Sequence, residues 1–221
     1  MDFAWSPEQQ QMRDAIARVC APFDADYWLR KDRDGGFPEE FHRALAASGW
    51  LGIAMPEAYG GAGQGIGEAA LMMHTIAASG AGMSGASAVH MNIFGLHPVV
   101  VFGSDAQKRR WLPPVVSGDA VAAFAISEAE AGSDVGAMTT TARRDGGGYV
   151  IDGRKTWISN AGIADRYVVF ARFPEAGERG FGAFVVDADN PGLRVTERID
   201  VTAPHPLGTV ELEAAASPRT R

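Results

Sequence analysis

Ser104-Asp105-Ala106-Gln107-Lys108-Arg109-Arg110-Trp111-Leu112-Pro113-Pro114, followed shortly by Val121-Ala122-Ala123-Phe124-Ala125-Ile126, marks the point where the chain changes character. The serine with a glutamine three residues on is a capping box, in which side chain and backbone satisfy each other at a helix start. The helix it opens should end at Pro113-Pro114, because proline has no N–H to donate. Beyond Asp119 the helical spacing gives way to short apolar runs, beginning with Val121–Ile126. The stretch therefore predicts a helical part, residues 1–118, joined to a strand-rich part, residues 119–213.

Upstream, the helix signals continue. Ser6-Pro7-Glu8-Gln9 is another capping box with proline in the first turn. Met12, Ile16 and Val19 recur on one helical face, and Pro22 ends the run. Pro38 opens a second helix with Phe41 and Leu45 on one face and Gly49 as its C-terminal glycine. Trp50–Met55 is apolar and enters a loop of Pro56, Gly60, Gly61 and Gly63. A third helix is expected near Ile66–Ala78. Residues 80–88 are almost all small, which predicts a buried, closely packed helix running to about Gly95.

Downstream, strand signals follow one another closely. Thr139-Thr140-Thr141 is β-branched, and Gly146-Gly147-Gly148 and Asp152-Gly153 are turn signals flanking Tyr149-Val150-Ile151. Lys155–Ile158, Tyr167–Arg172, Phe181–Val186, Leu193–Val195 and Thr209–Leu212 extend the series. With no helical stretch between them, they predict an antiparallel barrel or sandwich. The fold class expected is α+β: an all-α domain, then an antiparallel β domain.

Composition narrows the function. The 221 residues are 46% hydrophobic and 21% charged, as in a globular protein with a substantial core. Net charge is −7 and no Lys/Arg-rich run occurs, which argues against nucleic acid as a partner. The single cysteine, Cys20, permits no intrachain disulfide and fits a reducing cytoplasm. The first residues lack the basic and apolar regions of a secretory signal, and no uninterrupted apolar run reaches ~18 residues, so no membrane association is expected. The five histidines are scattered without an HxxxH or HExxH spacing, so no metal site is expected. Gly80–Gly85 fits GxGxxG, but a dinucleotide site needs a preceding strand and a βαβ unit, and its neighbours read as helical. Gly82-Met83-Ser84-Gly85-Ala86 lacks the final glycine of a hydrolase nucleophile turn.

Two segments carry chemistry. In Phe124-Ala125-Ile126-Ser127-Glu128-Ala129-Glu130-Ala131-Gly132-Ser133-Asp134, a strand opens into a turn of small residues. Its consecutive N–H groups, with Ser127 and Ser133, would suit an anion. A surface β-turn with Ser and Asp bonded to local backbone explains the same residues, and on them alone has the better claim. In Lys155-Thr156-Trp157-Ile158-Ser159-Asn160-Ala161-Gly162-Ile163-Ala164-Asp165, Trp157 could stack on a flat ring while Ser159 and Asn160 offer hydrogen bonds. The other reading is a strand ending in an Asn turn, with Trp157 in the core.

Taken together, the two segments resemble the acyl-CoA dehydrogenase family. Ser127-Glu128 with Ala131–Asp134 matches its middle-domain signature, and Trp157–Asn160 matches its Trp-Ile-Ser/Thr-Asn element. Met55-Pro56-Glu57-Ala58-Tyr59-Gly60-Gly61 and the run from Gly103 to Pro113 match further upstream, so the likeness covers roughly residues 3–212. The resemblance implies FAD lying between the β domain and helices, and α,β-dehydrogenation of an acyl-CoA thioester in fatty acid metabolism. A proton leaves Cα and a hydride leaves Cβ for flavin N5. It further implies that Phe124, Ile126, Ser127, Gly132, Ser133, Trp157, Ile158 and Ser159 bind the cofactor. Trp157 would pack on the isoalloxazine and Ser159 would hydrogen-bond near N5. Ser133 would also contact the substrate, in the phosphate and pantetheine region. An electron-transfer flavoprotein as acceptor and a homo-oligomeric state belong to the same implication.

Two departures from the family pattern stand out. Ala129 replaces the usual proline, which leaves that turn less rigid. Family members continue into a C-terminal helical bundle that carries the glutamate base. Here Glu213 is followed by Ala214-Ala215-Ala216-Ser217-Pro218-Arg219-Thr220-Arg221, which reads as a non-family tail, 214–221. The expectation is thus a chain without that bundle and without an assignable catalytic residue. Its alternatives are a non-catalytic flavin- or acyl-CoA-binding fragment or partner subunit, and a flavin oxidase or monooxygenase of the same fold. Chain length and branching of the acyl group are not legible from these residues.

Overall fold

The computed structural model describes residues 4–177, 180–203 and 205–218. The chain divides into two compact units that interleave along the sequence. One holds residues up to Ile93 with Trp111–Asp119 and Val201–His205; the other holds Phe94–Arg110, Ala120–Asp200 and the chain from Pro206 onward.

The first unit is helical. Helix α1, Pro7–Cys20, begins at the expected capping box: Gln9 N–H donates to Ser6 Oγ at 3.2 Å and Ser6 N–H to Gln9 Oε1 at 3.1 Å. Helix α2, Ala25–Asp34, was not expected from the apolar spacing. Its only buried residue is Trp28, so periodicity is nearly silent; its signals are the caps, Asp24 accepting from Tyr27 N–H at 2.9 Å and Gly35 at φ 64°. Helices α3 (Glu39–Ala47), α4 (Ile66–Ile76) and α5 (Gly82–Phe94) follow, with a π-helical turn at Ala77–Ala81 between the last two. Ile16, Phe41, Leu45, Met72, Ile76 and Val89 form the core. Small residues in α5 are needed there. A Cβ on Gly85 would overlap that of Ala81 and come within 3.2 Å of Ile76. The GxGxxG at Gly80 sits on a helix break, with Gly80 at φ 102° and Gly82 at φ 56°.

The helical stretch Ile66–Phe102, taken as one rod of 37 residues, is long and apolar enough to cross a membrane by length and composition alone. The break at Gly80 separates α4 from α5, and a turn at Gly95-Leu96 separates α5 from α6 (His97–Phe102); the three have 11, 13 and 6 residues. At ~1.5 Å per residue none of these spans a ~30 Å hydrocarbon core.

The second unit contains α6, the start of α7 (Asp105–Val116) and the sheet. The capping box of α7 is formed, with Ser104 N–H donating to Gln107 Oε1 at 2.7 Å. The helix outruns its expected end. Pro113 and Pro114 fall in its last turns, and Ser117 N–H still closes on the Pro113 carbonyl at 3.0 Å.

Among the described residues seven strands form one sheet: β1 Ala122–Ala125, β2 Thr141–Asp145, β3 Gly148–Ser159, β4 Arg166–Arg172, β5 Phe181–Asp187, β6 Leu193–Arg198 and β7 Leu207–Pro218. The order is β1-β4-β2-β3-β7-β6, with β5 pairing β4. The sheet curls far enough for Ser217 Oγ on β7 to donate to the Val185 carbonyl on β5 at 3.3 Å. It is mixed, not purely antiparallel as expected: β1 runs parallel to β4, Ala122 opposite Arg166 through Ala125 opposite Val169. The excursion from Ile126 to Asp165 is long enough to bring the chain back in the same direction, which a tight hairpin cannot do.

Two further expectations are corrected. Asp152-Gly153 is not a turn. One strand, β3, runs through it with a bulge in its pairing to β7 between Ile151 and Gly153. Nor does the β part end at Glu213: β7 continues to Pro218, with Ala215 opposite Ile151 and Ser217 opposite Tyr149. The alternation of buried Ala215 and Ser217 with exposed Ala216 makes Ala214–Ser217 a strand, not a loose tail. Arg219–Arg221 lie outside the described residues.

Candidate functional site

The two chemically suggestive segments lie side by side in the second unit. Ser127 follows the end of β1, and its carbonyl accepts the Thr156 N–H of β3 at 3.0 Å. One residue back on each segment, Lys155 Nζ donates to the Ile126 carbonyl at 3.0 Å. Trp157 and Ser159 follow directly on β3.

Trp157 is exposed, 58% of its surface open, so the reading that put it in the core does not hold. Its backbone sits at φ 59°, inside a β-bulge where the β3–β7 register shifts between Lys155 and Ile158. A bulky residue in the left-handed region is an outlier that costs ~1–3 kcal/mol and persists only where neighbours over-determine it. Bulges commonly re-aim one side chain, and this one presents an indole at the surface. Asn160, also left-handed at φ 65°, holds the far side of the bulge. Its Nδ2 donates to the Ala122 carbonyl at 2.9 Å and its N–H to the Pro206 carbonyl at 2.8 Å. Buried to 2% exposure, Asn160 is an anchor and not the ligand-facing donor that the sequence left open.

The turn after β1 resolves toward the plainer of its two readings. Glu128 N–H donates to the Ala131 carbonyl at 3.0 Å, and Ala131 N–H returns to the Glu128 carbonyl at 3.2 Å. Two N–H groups expected to face an anion are therefore used inside the turn. Gly132 and Ser133 lie exposed just beyond it. Phe124, Ile126 and Ser127 are half-buried, and Phe124 packs against Phe94 and Phe170 at centroid distances of 5.6 and 4.8 Å. Ser159 is half-buried as well. Ile158 departs from expectation: at 1% exposure its side chain belongs to the sheet core, and only its backbone remains for a ligand.

Sequence reasoning missed the centre of this arrangement. Lys155 is fully buried and Glu128 is 7% exposed, and they pair Nζ to Oε1 at 2.9 Å. Glu128 Oε1 also accepts Thr140 N–H at 2.9 Å and Thr140 Oγ1–H at 2.6 Å. Its Oε2 accepts Thr139 N–H at 2.6 Å and Thr139 Oγ1–H at 2.8 Å. Burial alone would raise this carboxyl's pKa, but donation from Lys155 and from Thr140 and Thr139 outweighs it and holds the pKa down to about 2. Five donors occupy its lone pairs. Glu128 is thus a fixed carboxylate with no capacity left to take a substrate proton. A signal was present in the sequence: Ile151, Gly153 and Lys155 share the inward phase of β3, so the lysine falls on a core position.

An exposed indole on a fixed, strained bulge, following Thr156, which bonds to Ser127, and two residues before Ser159, suits a flat heteroaromatic ring. These residues fit the isoalloxazine of a flavin. Comparison with known proteins points the same way. The N-terminal domain model of acyl-CoA dehydrogenases matches residues 6–119, and the middle domain model matches residues 123–215. This chain belongs to the acyl-CoA dehydrogenase family. An acyl-CoA dehydrogenase of Bacillus subtilis is 36% identical over 191 residues, 86% of this chain and 49% of that protein. A structure of PigA with FAD and proline superposes with a TM-score of 0.91 at 27% identity, covering 100% of this chain and 59% of the other. The glutaryl-CoA complex of a glutaryl-coenzyme A dehydrogenase gives 0.85 at 30% identity, covering 99% and 57%. The chain spans about half the length of the curated relatives it matches.

Proposed function

We propose that this chain forms the flavin-facing part of an FAD-dependent acyl-CoA dehydrogenase, which converts an acyl-CoA thioester to its trans-enoyl-CoA. Trp157 carries the reading: the fold holds an aromatic side chain open to solvent at the cost of backbone strain, within the family's own motif. When bound, FAD supplies the hydride acceptor, N5. Trp157 and Phe124 would cover the ring, with Ile126 and Ser127 along its edge. The Ser159 hydroxyl would donate where negative charge accumulates as hydride arrives, an interaction strongest in the transition state. Gly132 and Ser133, exposed beyond the turn, would meet the phosphate and pantetheine portions of the ligands. Electron-transfer flavoprotein as acceptor, a cytoplasmic location and a homo-oligomeric state complete the proposal.

A second reading, a flavin- or acyl-CoA-binding module without catalysis of its own, is favoured by one observation: Glu128, the buried carboxylate of the site, is saturated. The first reading requires flavin binding, and so does the flavin-binding form of the second. Titration of the chain with FAD should quench flavin or tryptophan fluorescence saturably. Stacking on an aromatic side chain contributes ~1–3 kcal/mol, so Trp157→Ala should weaken binding by roughly 5- to 150-fold. Absence of saturable binding by the parent chain refutes the proposal; equal affinity in Trp157→Ala refutes the role of Trp157.

A further inference from the structure

We propose that the buried Glu128–Lys155 pair positions the flavin-facing surface, fixing Ile126–Ser127 against β3 and holding Trp157 outward; this rests on the flavin reading above. The strained bulge needs an anchor on each side. Asn160 provides the one that follows it. The one that precedes it is Lys155, two residues before Trp157, with its ammonium bound to Glu128 Oε1 and to the Ile126 carbonyl. Ile126 lies past the end of β1, and the bond from Lys155 takes its carbonyl where the β1–β4 ladder stops. An apolar side chain at 155 could fill the volume but would leave that half-buried carbonyl without the Lys155 donor.

Glu128 extends the same fixation into the sheet. Its oxygens collect the N–H and hydroxyl groups of Thr139 and Thr140, and the Thr140 carbonyl accepts the Arg172 N–H of β4 at 2.9 Å. A continuous set of bonds thus runs from β4 through Thr140, Glu128 and Lys155 to the base of the bulge. A buried ion pair is often no more stabilising than apolar side chains of the same size. Its contribution here is geometric: one ammonium ties two segments that meet a common ligand. Glu128 and Lys155 are positioning residues and touch no substrate.

The test uses the full 221-residue chain with Lys155→Met and with Glu128→Gln/Lys155→Met, each made with and without Trp157→Phe. Folding is checked by circular dichroism and a cooperative melt. Acrylamide quenching is followed for the fluorescence component that Trp157→Phe removes. FAD affinity is measured by titration. Lys155→Met leaves a buried carboxylate unpaired and should lose stability; if it fails to fold, the double variant, with no buried charge, decides. The expected result is a folded double variant whose Trp157 quenching differs from the parent and whose FAD affinity falls on the order of tenfold, the scale of hydrogen bonds supporting a ligand site. A folded double variant with parental quenching and parental FAD affinity overturns the proposal, leaving the pair a purely structural role. If the parent itself binds no FAD, the flavin reading fails while the quenching comparison still decides whether the pair sets Trp157.

Discussion

A single carboxylate illustrates how a residue inside a recognisable motif can serve the fold and not the chemistry. Glu128 stands next to Ser127, yet all its acceptor sites are filled from Lys155, Thr139 and Thr140. Its pKa is held to about 2 against an ordinary 4.5. A carboxyl depressed on folding contributes stability that is fully present above its unfolded pKa and is lost as pH falls through its folded pKa. The window here is therefore roughly pH 4.5 down to 2. Urea unfolding from pH 6 downward should show stability falling across that window. In Glu128→Gln the fall should be smaller, while stability at neutral pH drops by about 3–5 kcal/mol because Lys155 is left buried without its partner. An unchanged acid limb in the variant would mean that Glu128 is not the group titrating.

At the scale of elements, β3 shows what the sequence could and could not disclose. Helix starts at Ser6 and Ser104 were legible because capping residues act locally. Strands β4 and β5 were legible because β-branched and aromatic runs mark them. The Asp152-Gly153 pair read as a turn because local chemistry cannot distinguish a turn glycine from a bulge glycine. What decides is a contact distant in sequence: a Cβ at Gly153, φ 153°, would overlap Thr140. Parallel pairing of β1 with β4 escaped for the same reason, since it depends on partners dozens of residues away; the burial of Lys155 had its local signal in the inward phase of β3, but reading Asp152-Gly153 as a turn broke that phase. Gly153→Ala should therefore push Thr140 off Glu128, costing ~1–3 kcal/mol for overpacking and backbone strain. A lower urea midpoint, with faster amide exchange at Thr139 and Thr140, is the expected outcome. A parental midpoint would show that the strand absorbs the methyl group elsewhere.

For the molecule as a whole, the question is whether a chain with the proposed flavin face would also complete the reaction. Deprotonation at Cα needs a base within ~2.6–3.2 Å of the proton donor, directly or through one water, and a positioned base contributes ~10²–10⁴-fold. The two motifs hold four carboxylates. Glu128 is saturated. Asp134 accepts the Gly136 N–H at 3.0 Å, Asp165 accepts the Val121 N–H at 2.7 Å, and Glu130 is exposed on the turn. Of the four, Glu128 has no acceptor site free, Asp134 and Asp165 are each engaged with backbone, and Glu130 has no fixed position beside Trp157. The 221 residues alone should therefore bind FAD without reducing it quickly. Anaerobic mixing of the FAD-loaded chain with straight-chain, branched and dicarboxylic acyl-CoAs should bleach the flavin ~10²-fold or more below the rate reached once a base is supplied. Adding the remaining half of a relative's chain in trans is the direct way to supply it. Rapid bleaching by this chain alone would mean that a base lies within these residues. The first to replace would then be Glu197, whose Oε2 accepts the Thr209 hydroxyl at 3.0 Å and which lies near the bulge through the Thr209–Thr156 contact, also 3.0 Å. Glu197→Gln would abolish the bleaching if that carboxylate takes the proton.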